Sequence, residues 1–311
     1  MEDNKEKLDQ NSRRNFLKDM GLVGLGGFAF GASLYSAKLY EDKKKGDTLK
    51  LLTADGRVVE VDELMIRDID KEYLADLQSR GREGIPGKSW VMVIDLAKCR
   101  NARNCVNACQ EAHQLRPEQY HINTLQMQDS KKTAPYHMPK PCQHCDNPPC
   151  VSVCPVDATY KRNDGIVLID NDRCIGCRFC IAACPYSART FHWFDPRDEE
   201  EFGDKIYDVE LNVPQKKGTI SKCLFSADKL RNGELPYCVS ACPNSVFWFG
   251  DENEDAVTNG TTKQTVRLSE LLRDNGAFQL MLELGTKPRV YYLPPKNRLF
   301  PFEDNNDPKT T

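Results

Sequence analysis

The run Cys174-Ile175-Gly176-Cys177-Arg178-Phe179-Cys180-Ile181-Ala182-Ala183-Cys184-Pro185 limits what this chain can fold around more than any other feature. Its C-x2-C-x2-C-x3-C-P spacing places three thiols in one tight loop and a fourth on the helical turn that follows. Such a loop holds three irons of a 4Fe-4S cubane, while the fourth cysteine reaches toward a neighbouring cluster. Gly176 lets the loop curl so that backbone N–H groups face the sulfides. Pro185 ends the segment because it cannot extend a helical hydrogen-bond ladder.

The pattern repeats. Cys142-Gln143-His144-Cys145, Cys150 and Cys154-Pro155 form the same device with two extra residues between the second and third cysteines. Exchange of fourth ligands between the two motifs assigns one 4Fe-4S cluster to Cys142, Cys145, Cys150 and Cys184, and a second to Cys174, Cys177, Cys180 and Cys154. An outer pair of motifs is incomplete: Cys99, Cys105 and Cys109 have Ala102 at the second ligand position, and Cys223, Cys238 and Cys242-Pro243 have Ser226 there. These four motifs account for all fourteen cysteines of the 311-residue chain. The same exchange gives one outer site Cys99, Cys105 and Cys242, and the other Cys223, Cys238 and Cys109 with Ser226 as a possible oxygen ligand. Three thiolates suit a 3Fe-4S cluster, and a site so depleted can also be empty. Alanine cannot ligate and a metal-deprotonated serine can, so the Ser226 site is expected to fill more readily.

Other uses of these cysteines fit less well. The chain is larger than domains that need disulfide stapling, and zinc ribbons have no use for a third and fourth cysteine at fixed spacing. Covalent haem needs C-x-x-C-H, whereas Asp146 follows Cys145 and Ile181 follows Cys180. The histidines, at 113, 121, 137, 144 and 192, form no i, i+4 pair with one another and read as structural or surface residues. His144 is the exception, because it lies inside a ligand loop and could tune a cluster by hydrogen bonding to sulfur. Trp193, Phe194, Phe247, Trp248 and Phe249 read as a dry shell around the clusters. A net charge of -3 supplies no basic field, so nucleic acid is not expected as a partner.

Near the start, Ser12-Arg13-Arg14-Asn15-Phe16-Leu17-Lys18 precedes a mild, uncharged stretch from Met20 to Ala37 and resembles a twin-arginine export signal. No Ala-x-Ala cleavage site follows it, which leaves retention as an anchor open. Further on, Leu49 to Val61 reads as a hairpin turned at Asp55-Gly56, Asp70 to Ser79 as a helix, and Trp90 to Asp95 as a buried strand. A second hairpin is expected from Ala158 to Asp170 around Asn163-Asp164-Gly165. Strands are expected at Ser245–Phe249 and Arg289–Leu293, with part of a helix at Ser269–Arg273.

The order of the four motifs, the C-x2-C-x4-C-x3-C-P form of the second and the Lys222-Cys223 opening of the fourth resemble the iron-sulfur subunits of membrane-associated respiratory complexes. Members serve nitrite, polysulfide, tetrathionate and dimethyl sulfoxide reductases, and include the periplasmic ferredoxin of the sulfite-reduction-associated transmembrane complex. The likeness covers roughly Trp90 to Leu293. It implies an α+β fold of two ferredoxin-like dicluster units, one from the inner motifs and one from the outer pair. The expected organisation is a signal or anchor over 1–40, a linker and hairpin over 41–88, a double dicluster domain over 89–293 and a polar tail over 294–311. Within that domain the inner unit spans about 135–195, and the outer unit about 89–134 with 196–265. The implied role is electron transfer between an integral membrane quinone-reactive subunit and a molybdopterin or multihaem cytochrome subunit on the periplasmic side, with no substrate chemistry in this chain. A self-contained redox enzyme with an open-coordination outer cluster is the competing reading.

Overall fold

The computed structural model describes the backbone of residues 48–52 and 58–62, and backbone and side chains of 81–130, 133–195 and 207–296. The chain divides into two compact units, Met1–Glu72 and Tyr73–Thr311. In the first, β1 (Thr48–Leu52) pairs antiparallel with β2 (Val58–Asp62). The turn between them, the expected helix at 70–79, the Arg13-Arg14 pair and the uncharged stretch 20–37 lie outside the described residues. Among the described residues no helix is long and apolar enough to cross a membrane.

The second unit begins with β3 (Trp90–Asp95), α1 (Asn104–Ala112), β4 (Asn123–Met127), β5 (Tyr136–Lys140), α2 (Pro149–Ser152), β6 (Thr159–Lys161), β7 (Val167–Ile169) and α3 (Phe179–Ala182). It continues through β8 (Arg189–Phe191), β9 (Ile220–Lys222), α4 (Ala227–Arg231), α5 (Tyr237–Ala241), β10 (Phe247–Asp251), β11 (Ala256–Asn259), β12 (Thr265–Arg267), α6 (Leu268–Asp274) and β13 (Val290–Leu293). This is an α+β mixture of short elements. Helices of four or five residues are too short to be stable alone, so α2 to α5 depend on the loops and core that hold them.

One five-stranded sheet frames the unit, in the order β12-β11-β10-β3-β13, with β13 parallel to β3 and the other pairings antiparallel. Val91 to Ile94 of β3 are buried throughout because both faces of the sheet are covered, which explains an unbroken apolar run in place of alternation. Side chains still alternate between two cores. Met92, Ile94, Phe247, Phe249, Val290 and Tyr292 face the core that contains seven of the cysteines. Val91, Val93, Trp248 and Leu293 face a smaller one closed by Leu268, Leu271 and Leu272 of α6.

The other strands form two-stranded ribbons, β4-β5, β6-β7 and β8-β9. The last two lead into and out of the inner cysteine motifs. Cys150 and Cys180 pack with Val167, Ile169 and Ile220 in a third small core.

Candidate metal centres

All four ligand loops share one backbone device. The residue just before the second ligand position is left-handed in each: Asn101 (φ 56°), His144 (φ 44°), Gly176 (φ 69°) and Phe225 (φ 54°). The loop shape is therefore kept at Ala102 and Ser226, where the thiol is gone. Glycine is strictly needed only at position 176, where a Cβ would lie 2.0 Å from the Gly218 carbonyl oxygen. Three motifs also leave by the same exit. After Cys154-Pro155, Cys184-Pro185 and Cys242-Pro243, the residues Asp157, Ser187 and Ser245 take φ of 51°, 50° and 55°, turning the chain toward its next strand.

Three recesses of similar size each gather cysteines from two motifs. Cys142, Cys145, Cys150 and Cys184 line one of about 330 Å³. Cys174, Cys177, Cys180 and Cys154 line another of about 280 Å³. Cys99, Cys105 and Cys242 line a third of about 310 Å³, in which Ala102 offers no donor. All fourteen cysteines are free thiols. Burial pushes the thiols of Cys105 and Cys145 up to about 12, and also raises those of Cys99, Cys180 and Cys184. A metal ion would have to displace those protons to bind.

Two buried cations, which the spacing of the cysteines does not reveal, show what charge these recesses suit. Arg189 and Lys222 face each other across the β8-β9 ribbon, an arrangement that is unfavourable for like charges. Among the described residues neither has a carboxylate partner. Lys222, fully buried, donates to the carbonyls of Val167 and Cys223. Arg189 donates to Thr159 Oγ1 at 3.1 Å and keeps Nη2 buried without a partner. Burial opposes the Arg189 charge, but Cys150, Cys180 and Cys142 outweigh it and raise its pKa. Burial lowers the Lys222 pKa, against the pull of Cys142, Cys223 and Cys150. Two cations held among thiols fit an anionic iron-sulfur cluster and would be costly without one.

The cysteines of the remaining outer site also come together. Cys109, Cys223 and Cys238 lie in one buried core, and burial pushes all three thiols up, Cys223 to about 11. Ser226 is buried beside them, and its Oγ accepts the Tyr237 N–H at 3.2 Å, at the start of α5. The first motif, which ends at Cys109, differs from the other three in that no proline follows its last cysteine. Helix α1 therefore runs on past Cys109 to Ala112 and brings His113, four residues along, onto the same face.

Of the two alternatives for the histidines, structural or surface, four take the structural one. His113, His121, His144 and His192 are all buried. His144 accepts the Val167 N–H at 3.1 Å through Nδ1 and stacks on Phe225 with ring centroids 3.7 Å apart, which ties the second ligand loop to the fourth. The dry shell needs correction. Phe247 and Phe249 lie in the cysteine-bearing core and Trp248 on the opposite face of the sheet, but Trp193 and Phe194 are exposed. Trp193 packs on Phe191 under Arg178, next to Cys177, so it borders the recess from outside.

Models of 4Fe-4S dicluster domains match residues 133–196 and 166–243. The chain is 36% identical to a selenate reductase subunit from Mesobacillus selenatarsenatis over 307 residues, 93% of this chain and 99% of that one. It is 38% identical to the iron-sulfur cluster-binding subunit of menaquinone reductase from Nitratidesulfovibrio vulgaris, over 66% of this chain and 88% of the relative. Likeness to a tetrathionate reductase subunit from Salmonella typhimurium is 34%, over 68% and 74%. The first match extends well beyond the 90–293 region that carries the motifs.

Proposed function

Because this chain belongs to the ferredoxin-type iron-sulfur electron-transfer subunits of respiratory oxidoreductases, we propose that it passes electrons between a membrane quinone-reactive subunit and a periplasmic catalytic subunit. Cys142, Cys145, Cys150 and Cys184 hold one 4Fe-4S cluster, and Cys174, Cys177, Cys180 and Cys154 hold the other. The clusters, when bound, supply reversible one-electron redox chemistry. Cys99, Cys105 and Cys242 offer a three-thiolate site suited to a 3Fe-4S cluster. The near full-length likeness to a selenate reductase subunit favours a catalytic partner that acts on an oxyanion.

The observation that carries this reading is the gathering of two complete sets of four thiols around the buried Arg189–Lys222 pair, one set reaching the surface at Cys177. Exposed Ile175, Phe179 and Trp193 surround that thiol with apolar area of the kind a docked partner covers. The chain's residues bind, insulate and charge-balance the clusters. Cys177→Ala should remove or convert one cubane, with a matching loss of iron and of its EPR signal. In the assembled complex it should abolish quinol-linked turnover and spare turnover driven by an artificial donor at the catalytic subunit. Unchanged iron and EPR would contradict the ligand assignment, and unchanged quinol-linked turnover would contradict the relay.

The same reading places the protein on the periplasmic side, exported folded with its clusters in place. Arg13-Arg14 between a polar leader and a mild apolar stretch supports this. Changing both arginines to lysine should leave cluster-loaded precursor in the cytoplasm, measured by fractionation and visible absorbance. Normal arrival in the periplasm would count against that route.

A further inference from the structure

The outer site of Cys109 differs from the other three in its chemistry. Cys109, His113 and His121 bring one possible ligand atom each to within 4.8 Å of one another, and all three residues are buried. His113 has its Nδ1 2.6 Å from the Leu211 carbonyl oxygen, which fixes the proton on Nδ1 and leaves the Nε2 lone pair free. A backbone carbonyl on the far nitrogen is how ligating histidines are usually oriented. His121, 2% exposed, has Nδ1 3.7 Å from Cys109 Sγ and leaves Nε2 buried with no partner. Nδ1 is the nitrogen that faces Cys109 Sγ, so it is the atom of His121 that would share an ion with that thiol.

The spacing separates a single ion from a cluster corner. Terminal ligands of a cubane sit on different irons and stand well apart. Ligands about 2.0–2.3 Å from one tetrahedral ion must lie roughly 3.3–3.8 Å from each other, and the Cys109–His121 separation falls in that range. From this geometry we infer that Cys109, His113 and His121, with Cys223 as the fourth ligand, form a closed mononuclear site for a divalent ion, zinc above all, where a fourth iron-sulfur cluster would otherwise sit. Cys223 is chosen because it is buried in the same core as Cys109 and opens the fourth motif, and its interaction with Cys109 is the largest that Cys109 has with any thiol. The site ties α1 to the start of the fourth motif. It also removes this corner from the electron path, leaving the outer unit only the Cys99, Cys105 and Cys242 site. The inference stands independently of the relay proposed above, because zinc absorption is blind to iron.

The test is metal analysis and zinc K-edge absorption on full-length protein purified anaerobically from zinc-supplemented cells. The expected result is one zinc per chain, with nitrogen scatterers at about 2.0–2.1 Å and sulfur at about 2.3 Å. His113→Ala and His121→Ala should each cut zinc content at least fivefold and leave iron and acid-labile sulfide unchanged. Should either variant fail to accumulate, wild-type protein loaded with Co2+ in place of zinc should show the strong visible bands of a tetrahedral site with sulfur-to-cobalt charge transfer. Absence of stoichiometric zinc, a zinc shell without nitrogen, or loss of iron and sulfide in the histidine variants would overturn the inference.

Discussion

Replacing Arg162 by methionine should destabilise the protein by about 3–5 kcal/mol, the usual result of stranding a buried charge. The Arg162 side chain is fully buried between Asp164, itself fully buried, and Glu210. Asp164 also accepts the backbone N–H groups of Ile85 at 3.0 Å and Ile166 at 3.3 Å. Glu210 is shared with Arg231. The β6-β7 hairpin, the chain before β3 and the segment beyond 207 are thus joined at one charged hub. Methionine keeps the length and apolar stem of arginine but leaves Asp164 without its counter-charge. The urea midpoint followed by circular dichroism under anaerobic conditions should fall by on the order of 1–2 M. Adding Asp164→Asn should recover part of the loss, because the stranded charge goes with it. A midpoint within a few tenths molar of wild type would show that water or backbone replaces the guanidinium, and the hub would then not matter.

That hub also shows where sequence reasoning stops. Asn163-Asp164-Gly165 is legible as a turn from local chemistry alone, and the turn is there, with Gly165 at φ 86°. The second role of Asp164 depends on Glu210, whose approach no local pattern encodes. The cysteine motifs are legible for the opposite reason: a ligand loop is a local object, and its spacing is its function. Trp90–Asp95, Ser245–Phe249 and Arg289–Leu293 read as strands from their apolar runs, and strands are found at Phe247–Asp251 and Val290–Leu293 for the last two, but the pairing of β13 parallel to β3 joins segments about two hundred residues apart. The Cys109-x3-His113 pair is within reach of the sequence. Its signal is the missing proline after Cys109, which marks a helix that continues where the other three motifs stop. Exposure of Trp193 and Phe194 is not within reach, since aromatic content speaks for burial in general and says nothing of a docking edge.

Lys222→Met should lower the midpoint potential of the inner clusters, and that of the Cys142 site most. Lys222 carries its charge in full burial with only carbonyls as hydrogen-bond acceptors, and the thiols of Cys142, Cys223 and Cys150 are what favour its protonated form. Gaining an electron makes the site more negative, so a fixed cation beside it favours reduction, and removing the cation must shift the potential downward. A unit charge a few ångströms away at an effective dielectric near 20 contributes about 3 kcal/mol. For one electron this corresponds to roughly 130 mV. Methionine fills a similar volume, which keeps the change electrostatic. Arg189→Met, which removes the cross-strand partner, should act in the same direction on the clusters of Cys150 and Cys180. EPR-monitored redox titration of the anaerobically purified full-length protein reads both shifts. A Lys222→Met midpoint within about 20 mV of wild type would mean that the lysine is neutral in the loaded protein. The pair would then serve the folded ribbon and not the electron's energy.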